Sequence, residues 1–157
     1  MKKNHLALFI GLSIWMTMLS TGSPAQASLG ESDDSITSDE KALSAVRGAA
    51  ATRNGFTVHE IQSDSTTVRE YVSPSGIVFA IAWNGRIHPD LTSLLGSYAG
   101  EYNKALQQTP REPGRRSYYV VKSDQVVVEK WGHMRNLQGR AYAPALIPPG
   151  VSINEIK

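Results

Sequence analysis

The sequence predicts an α+β fold, with a single antiparallel β-sheet built from hairpins and two helices packed on it. Three observations predict it. The run Gly76 to Trp83 (GIVFAIAW) is apolar on every residue, as a strand covered on both faces must be. Leu91, Leu94, Leu95, Tyr98, Tyr102 and Leu106 recur at three- and four-residue spacing, the stripe of an amphipathic helix. The remaining strand candidates are joined by short turns, which only antiparallel neighbours can use.

In chain order, Thr37 to Ala51 reads as the first helix. Thr37-Ser38-Asp39-Glu40 fits a capping box, Leu43, Val46 and Ala50 share one face, and Asn54-Gly55 would stop it. Strands follow at Phe56 to Gln62, at Thr66 to Ser73 and at 76–83. Between the last two, Ser73-Pro74-Ser75-Gly76 makes a turn, because proline presets φ at its second position and glycine closes it. The second helix spans about 90–107 with Asp90 as N-cap. Thr109 to Arg116 is an exposed loop. Ser117 to Lys122 and Gln125 to Trp131 form another hairpin around Ser123-Asp124, and Gly132 to Tyr142 supplies one more strand. Ala143 to Gly150 (APALIPPG) is extended and proline-rich.

The first 27 residues have the three parts of a cleavable signal peptide. Lys2 and Lys3 give a positive start, Leu6 to Leu19 is apolar, and Ala25-Gln26-Ala27 is a small-x-small cleavage site. The apolar run is short of the ~20 residues a spanning helix needs, so no membrane span is expected. The expected organisation is a leader at 1–27, a flexible acidic stretch at 28–36 and one domain at 37–157. The chain carries 16 Lys+Arg against 14 Asp+Glu, and losing Lys2 and Lys3 with the leader leaves 14 against 14. A formally neutral chain has no global field to steer nucleic acid. The absence of cysteine rules out disulfides, thiol nucleophiles and thiolate metal sites.

Two residues stand out as candidate acid–base groups. Glu70 shares a strand face with Val68 and Val72, a setting that shifts a carboxylate toward its neutral form whenever nothing compensates its charge. His133 lies between Gly132 and Met134 at a strand end. Arg111, Arg115 and Arg116 with Tyr118 and Tyr119 form a basic-aromatic cluster, a candidate binding surface for anionic groups. His59, His88 and His133 show no ligand spacing on one element, so no metal site is expected, and no cofactor motif occurs. Trp83 and Trp131 read as packing residues.

The segments VREYVSPSGIVFAIAWNG (68–85), PDLTSLLGSY (89–98) and GHMRNLQGRAYAPALIPPGVSINEI (132–156) resemble the domain-of-unknown-function 2844 family of short exported Gram-negative bacterial proteins. Arg86 stands where that family often has proline, a difference confined to a loop. The resemblance implies an envelope or secreted location and no particular activity. The expected function is a non-catalytic periplasmic or secreted binding or accessory protein with an envelope or secreted protein partner. The alternatives are a small hydrolase or lyase using Glu70 and His133, and a carrier of a small apolar ligand held between the 77–83 strand and the 90–107 helix.

Overall fold

The computed structural model describes residues 29–32, 46–53, 55–110 and 118–157. They form a seven-stranded sheet: β1 (Val46–Arg53), β2 (Phe56–Gln62), β3 (Thr66–Val72), β4 (Val78–Gly85), β5 (Tyr118–Lys122), β6 (Val127–His133) and β7 (Asn136–Tyr142). The order across the sheet is β1-β2-β3-β4-β7-β6-β5, antiparallel throughout. Among the described residues there is a single helix of 18 residues, α1, which lies between β4 and β5 in the chain. It is α-helical over Leu91–Leu95 and Ala99–Gln108, with a 3-10 turn at Gly96–Tyr98 between them. Asp90 caps it, its carboxylate accepting from the Thr92 amide at 2.9 Å.

The expectation of two packed helices is overturned. Of the helix expected over 37–51, residues 37–45 lie outside the described residues, and Val46–Arg53 is an edge strand paired with β2. Arg53 pairs directly with Phe56, so the chain reverses here between two strands, and Gly55 does not follow the end of a helix. Gly55 has φ +90, which glycine adopts without strain. The helix-forming alanines of this segment yield to ladder pairing, because tertiary context outweighs an intrinsic preference of a few tenths of a kcal/mol per residue.

β4 lies in the middle of the sheet and is covered on both sides. Val78, Ile81 and Trp83 face α1, packed with Leu91, Leu94 and Leu95. Phe79, Ala80 and Ala82 face the other way, with Phe56, Tyr71 and Ile156. Each large side chain buried this way contributes roughly 1.5–3 kcal/mol. The hairpin into β4 turns as the sequence indicates, with the Gly76 amide donating to the Ser73 carbonyl at 2.9 Å and Ser73 pairing back to Ile77.

The helix face also holds Leu29, which is fully buried. Its amide donates to the Leu94 carbonyl at 3.1 Å, and the Gly30 amide donates to the Val78 carbonyl at 2.8 Å. Leu29–Ser32, expected from its acidity to be loose, is thus held between helix and sheet.

The opposite face is covered by the C-terminal stretch. Leu146, Ile147, Val151 and Ile153 pack against a cluster in which Phe56, Tyr71 and Phe79 meet at ring distances of 5.7–6.3 Å. A 3-10 turn, Ile153–Glu155, is closed by a capping box between Ser152 and Glu155. The Tyr71 hydroxyl donates to the Lys157 carbonyl at 2.8 Å and accepts from the Lys157 amide at 2.9 Å. This cover also reaches Val127 of β6 and Tyr142 of β7, both buried, and leaves open the part of that face nearer the β6–β7 hairpin.

Candidate functional site

Glu70 is fully buried, on the helix face of β3 between His59 of β2 and Ile81 of β4. His133 is exposed, at the tip of the β6–β7 hairpin where it pairs with Asn136. The register runs from Glu70 through Ile81 and Ala141 to Val128, and His133 lies five residues further along β6. Three strand spacings and five residues separate the two by roughly 20 Å. That distance removes the acid–base pair required by the hydrolase or lyase alternative. A glutamate with no exposed surface also has no route to a substrate. The neighbour sequence reasoning missed is His59, which register alone places opposite Glu70.

The interface between β4 and α1, proposed as the wall of an apolar pocket, is filled. Leu29, Val78, Ile81, Leu94 and Leu95 are each almost fully buried and belong to one continuous cluster. Arg111, Arg115, Arg116, Ala25 and Ala27 lie outside the described residues. Of the cluster's two tyrosines, Tyr119 packs against the core on the helix face, and Tyr118 is 47% exposed at the start of β5.

Tyr118 opens onto a groove of about 580 Å³ beside the C-terminal stretch, on the face away from α1. Its floor alternates along the strands. Glu129 and Trp131 come from β6, Gln138 and Arg140 from β7, and each points away from α1 because the residues between them point toward it. Asn154 and Lys157 form the wall.

Cross-strand register pairs the floor residues: Tyr118 with Trp131, Trp131 with Gln138, and Glu129 with Arg140. The Arg140 guanidinium lies 2.7 Å from the Glu129 carboxylate, at side-chain exposures of 17% and 13%. A second arm of Arg140 donates to the carbonyls of Ile153 and Ile156 at 2.7 and 3.4 Å, tying the C-terminal turn to the sheet. The same guanidinium lies over the Trp131 ring, 5.8 Å from its centre. The Trp131 indole N–H donates to Gln138 Oε1 at 3.1 Å, and Gln138 Nε2 donates to Asn136 Oδ1 at 3.0 Å. Beside the floor, on the same face, burial pushes the Tyr142 phenol up, and the Glu129 carboxylate pushes it further. Trp131 and Gln138 are therefore fixed before any ligand arrives.

Sequence reasoning assigned Trp131 to packing and passed over Glu129, Gln138, Arg140 and Asn154. The available signal was the alternation of β6, where Glu129 and Trp131 share one face and Val128 and Lys130 the other.

On the helix face, register aligns Trp83, Gly139 and Lys130 across β4, β7 and β6. The Trp83 indole N–H donates to His88 Nδ1 at 2.9 Å, and Lys130 Nζ donates to the Tyr102 hydroxyl at 3.0 Å. Burial, and then the nearby Lys130 ammonium, hold His88 below its ordinary pKa. Among the described residues, no cluster of three His, Asp or Glu is placed to hold a metal ion, and no helix is long and apolar enough to cross a membrane.

No curated protein and no solved structure matches the chain. A family model does, over residues 25–156: it is described as Protein of unknown function (DUF2844), and the chain belongs to that family.

Proposed function

We propose that this is an exported, non-catalytic binding protein of the cell envelope, and that the groove over β5–β7 is its binding site. Export rests on the leader-like first 27 residues. The single observation that carries binding is the groove, where a half-exposed tyrosine and a tryptophan lie beside prepositioned amide and charged side chains on an otherwise covered sheet. Concave sites with aromatic surface and a few fixed polar groups are the usual form of ligand sites. The floor holds one carboxylate, Glu129, engaged with Arg140, so it offers binding chemistry without an acid–base pair.

The test is site-specific photocrosslinking in the native host. A photoreactive residue replacing Tyr118 is compared with one replacing Lys104, exposed on the outer face of α1. Adducts formed at 118 and absent at 104 support the groove. Equal labelling at both positions, or none at either, refutes it.

A further inference from the structure

We propose that the ligand of this groove is an uncharged saccharide. The proposal rests on the binding reading above and narrows it to a chemical class.

A sugar ring presents an apolar C–H face and a rim of hydroxyls, each both donor and acceptor. Its site must offer flat apolar surface beside side chains that also donate and accept. Tyr118 and Trp131 supply the surface, and register sets them directly across from each other on β5 and β6. Asn154 and Gln138 carry amides, which donate and accept from one plane, and the Tyr118 hydroxyl does the same.

Charge narrows the class further. Anionic ligands are recognised by a free arginine fork. Here that fork is spent, because Arg140 is paired with Glu129 at 2.7 Å and its other arm is held by the Ile153 and Ile156 carbonyls. The floor's Arg140 and Glu129 cancel, and the further lining cation, Lys157 in the wall, is one flexible ammonium and not the fork that recognises a phosphate or carboxylate. A neutral polyhydroxylated ligand needs no such charge. The groove, about 580 Å³ and open to solvent, has the form that suits a chain of sugar rings and not one enclosed ring. Trp131 is also fixed in advance: Gln138 holds its indole N–H, and Arg140 lies over its ring. Stacking on it therefore costs little ordering of the site.

The experiment titrates the purified protein with cellotetraose, maltotetraose and chitotetraose, read by calorimetry and tryptophan fluorescence. At least one is expected to bind with a dissociation constant between about 10 µM and 1 mM. Tyr118→Ala should weaken that binding by about tenfold or more, as truncating a central aromatic anchor does. Tyr118 is exposed, so this variant retains the fold, and an unchanged thermal melt verifies it. Trp131→Phe should weaken binding less, and Val46→Ala on the far edge not at all. If no tetrasaccharide binds at about 10 mM, or if Tyr118→Ala binds as tightly as the parent, the saccharide assignment is overturned. Photocrosslinking at 118 to a protein or peptide would leave the groove reading standing while removing the saccharide. Failure of both experiments would remove both.

Discussion

Gly139 carries the most direct structural prediction. A β-carbon there would lie 2.2 Å from Trp83 Cζ2, 2.5 Å from Cε2 and 2.7 Å from the Glu129 carbonyl oxygen. Real β-carbons do not approach so closely, so Gly139→Ala must move the indole. Trp83 has nowhere to go: it is 2% exposed, and its N–H is held by His88 at 2.9 Å. Overpacking of this kind costs roughly 1–3 kcal/mol, and losing the indole bond about 1 kcal/mol more. The alanine returns ~0.4–1 kcal/mol by stiffening the unfolded chain. The expected net loss is about 2 kcal/mol, or a midpoint lowered by roughly 6–10 °C for a domain of this size. Thermal and urea unfolding measure the loss, and a double-mutant cycle with Trp83→Phe assigns it. Phenylalanine lacks the second ring that collides, so the same glycine substitution should cost at least ~1 kcal/mol less in that background. Equal costs in both backgrounds, or a Gly139→Ala protein as stable as the parent, would refute the reasoning.

Leu29→Ala should lose about 3 kcal/mol in urea unfolding, as truncation of a fully buried leucine does, and Val46→Ala, 73% exposed on the β1 edge, should change stability by less than ~0.5 kcal/mol. Tyr71→Phe removes a hydroxyl that both donates to and accepts from the backbone of Lys157, and should cost roughly 1–2 kcal/mol with faster amide exchange at Lys157. His88 is held below its ordinary pKa of 6.5 first by burial and then by Lys130, so the folded state favours the neutral ring. The stability it contributes is complete above 6.5 and declines as the pH falls from there through the lowered value. Unfolding measured between pH 7.5 and 5 should show a shallower decline in His88→Asn, which keeps an acceptor for Trp83 and cannot take up the proton; an unchanged slope would contradict this.

Features set by neighbouring residues were legible in the sequence. The unbroken apolar run of β4 identifies the central strand, Ser73-Pro74-Ser75-Gly76 its hairpin, and Asp90 with the leucine stripe the helix. Each signal is complete within about a dozen residues. The failures share a cause, which is that the deciding partner is distant. Val46–Arg53 has local chemistry that suits a helix and becomes a strand because β2 offers it a ladder. Leu29 sits in an acidic, small-residue stretch, and only the cleft between α1 and β4 makes it a core residue. The groove depends on the register of β6 against β7, set by a turn at Met134-Arg135. Neither residue is a turn former, and Met134 takes a φ of +49 that non-glycine residues adopt rarely. Without that register, Glu129 and Arg140 are two charges eleven positions apart, and Trp131 is one more tryptophan.

The tripeptide Gln138-Gly139-Arg140 links the two faces. Gly139 faces α1, where its missing side chain lets Trp83 lie against the strand. Gln138 and Arg140 face the groove, one orienting Trp131 and the other joining Glu129 to the C-terminal turn. A largely buried ion pair is a poor source of net stability, since desolvation offsets most of its attraction and an apolar pair of equal volume often does as well. What the apolar pair would not do is donate to two backbone carbonyls and hold a ring at the same time. Arg140 does both, so its value lies in placing the groove's wall relative to its floor. Disturbing it should therefore affect ligand affinity more than the melting temperature, whereas disturbing Gly139, one residue away, should do the reverse.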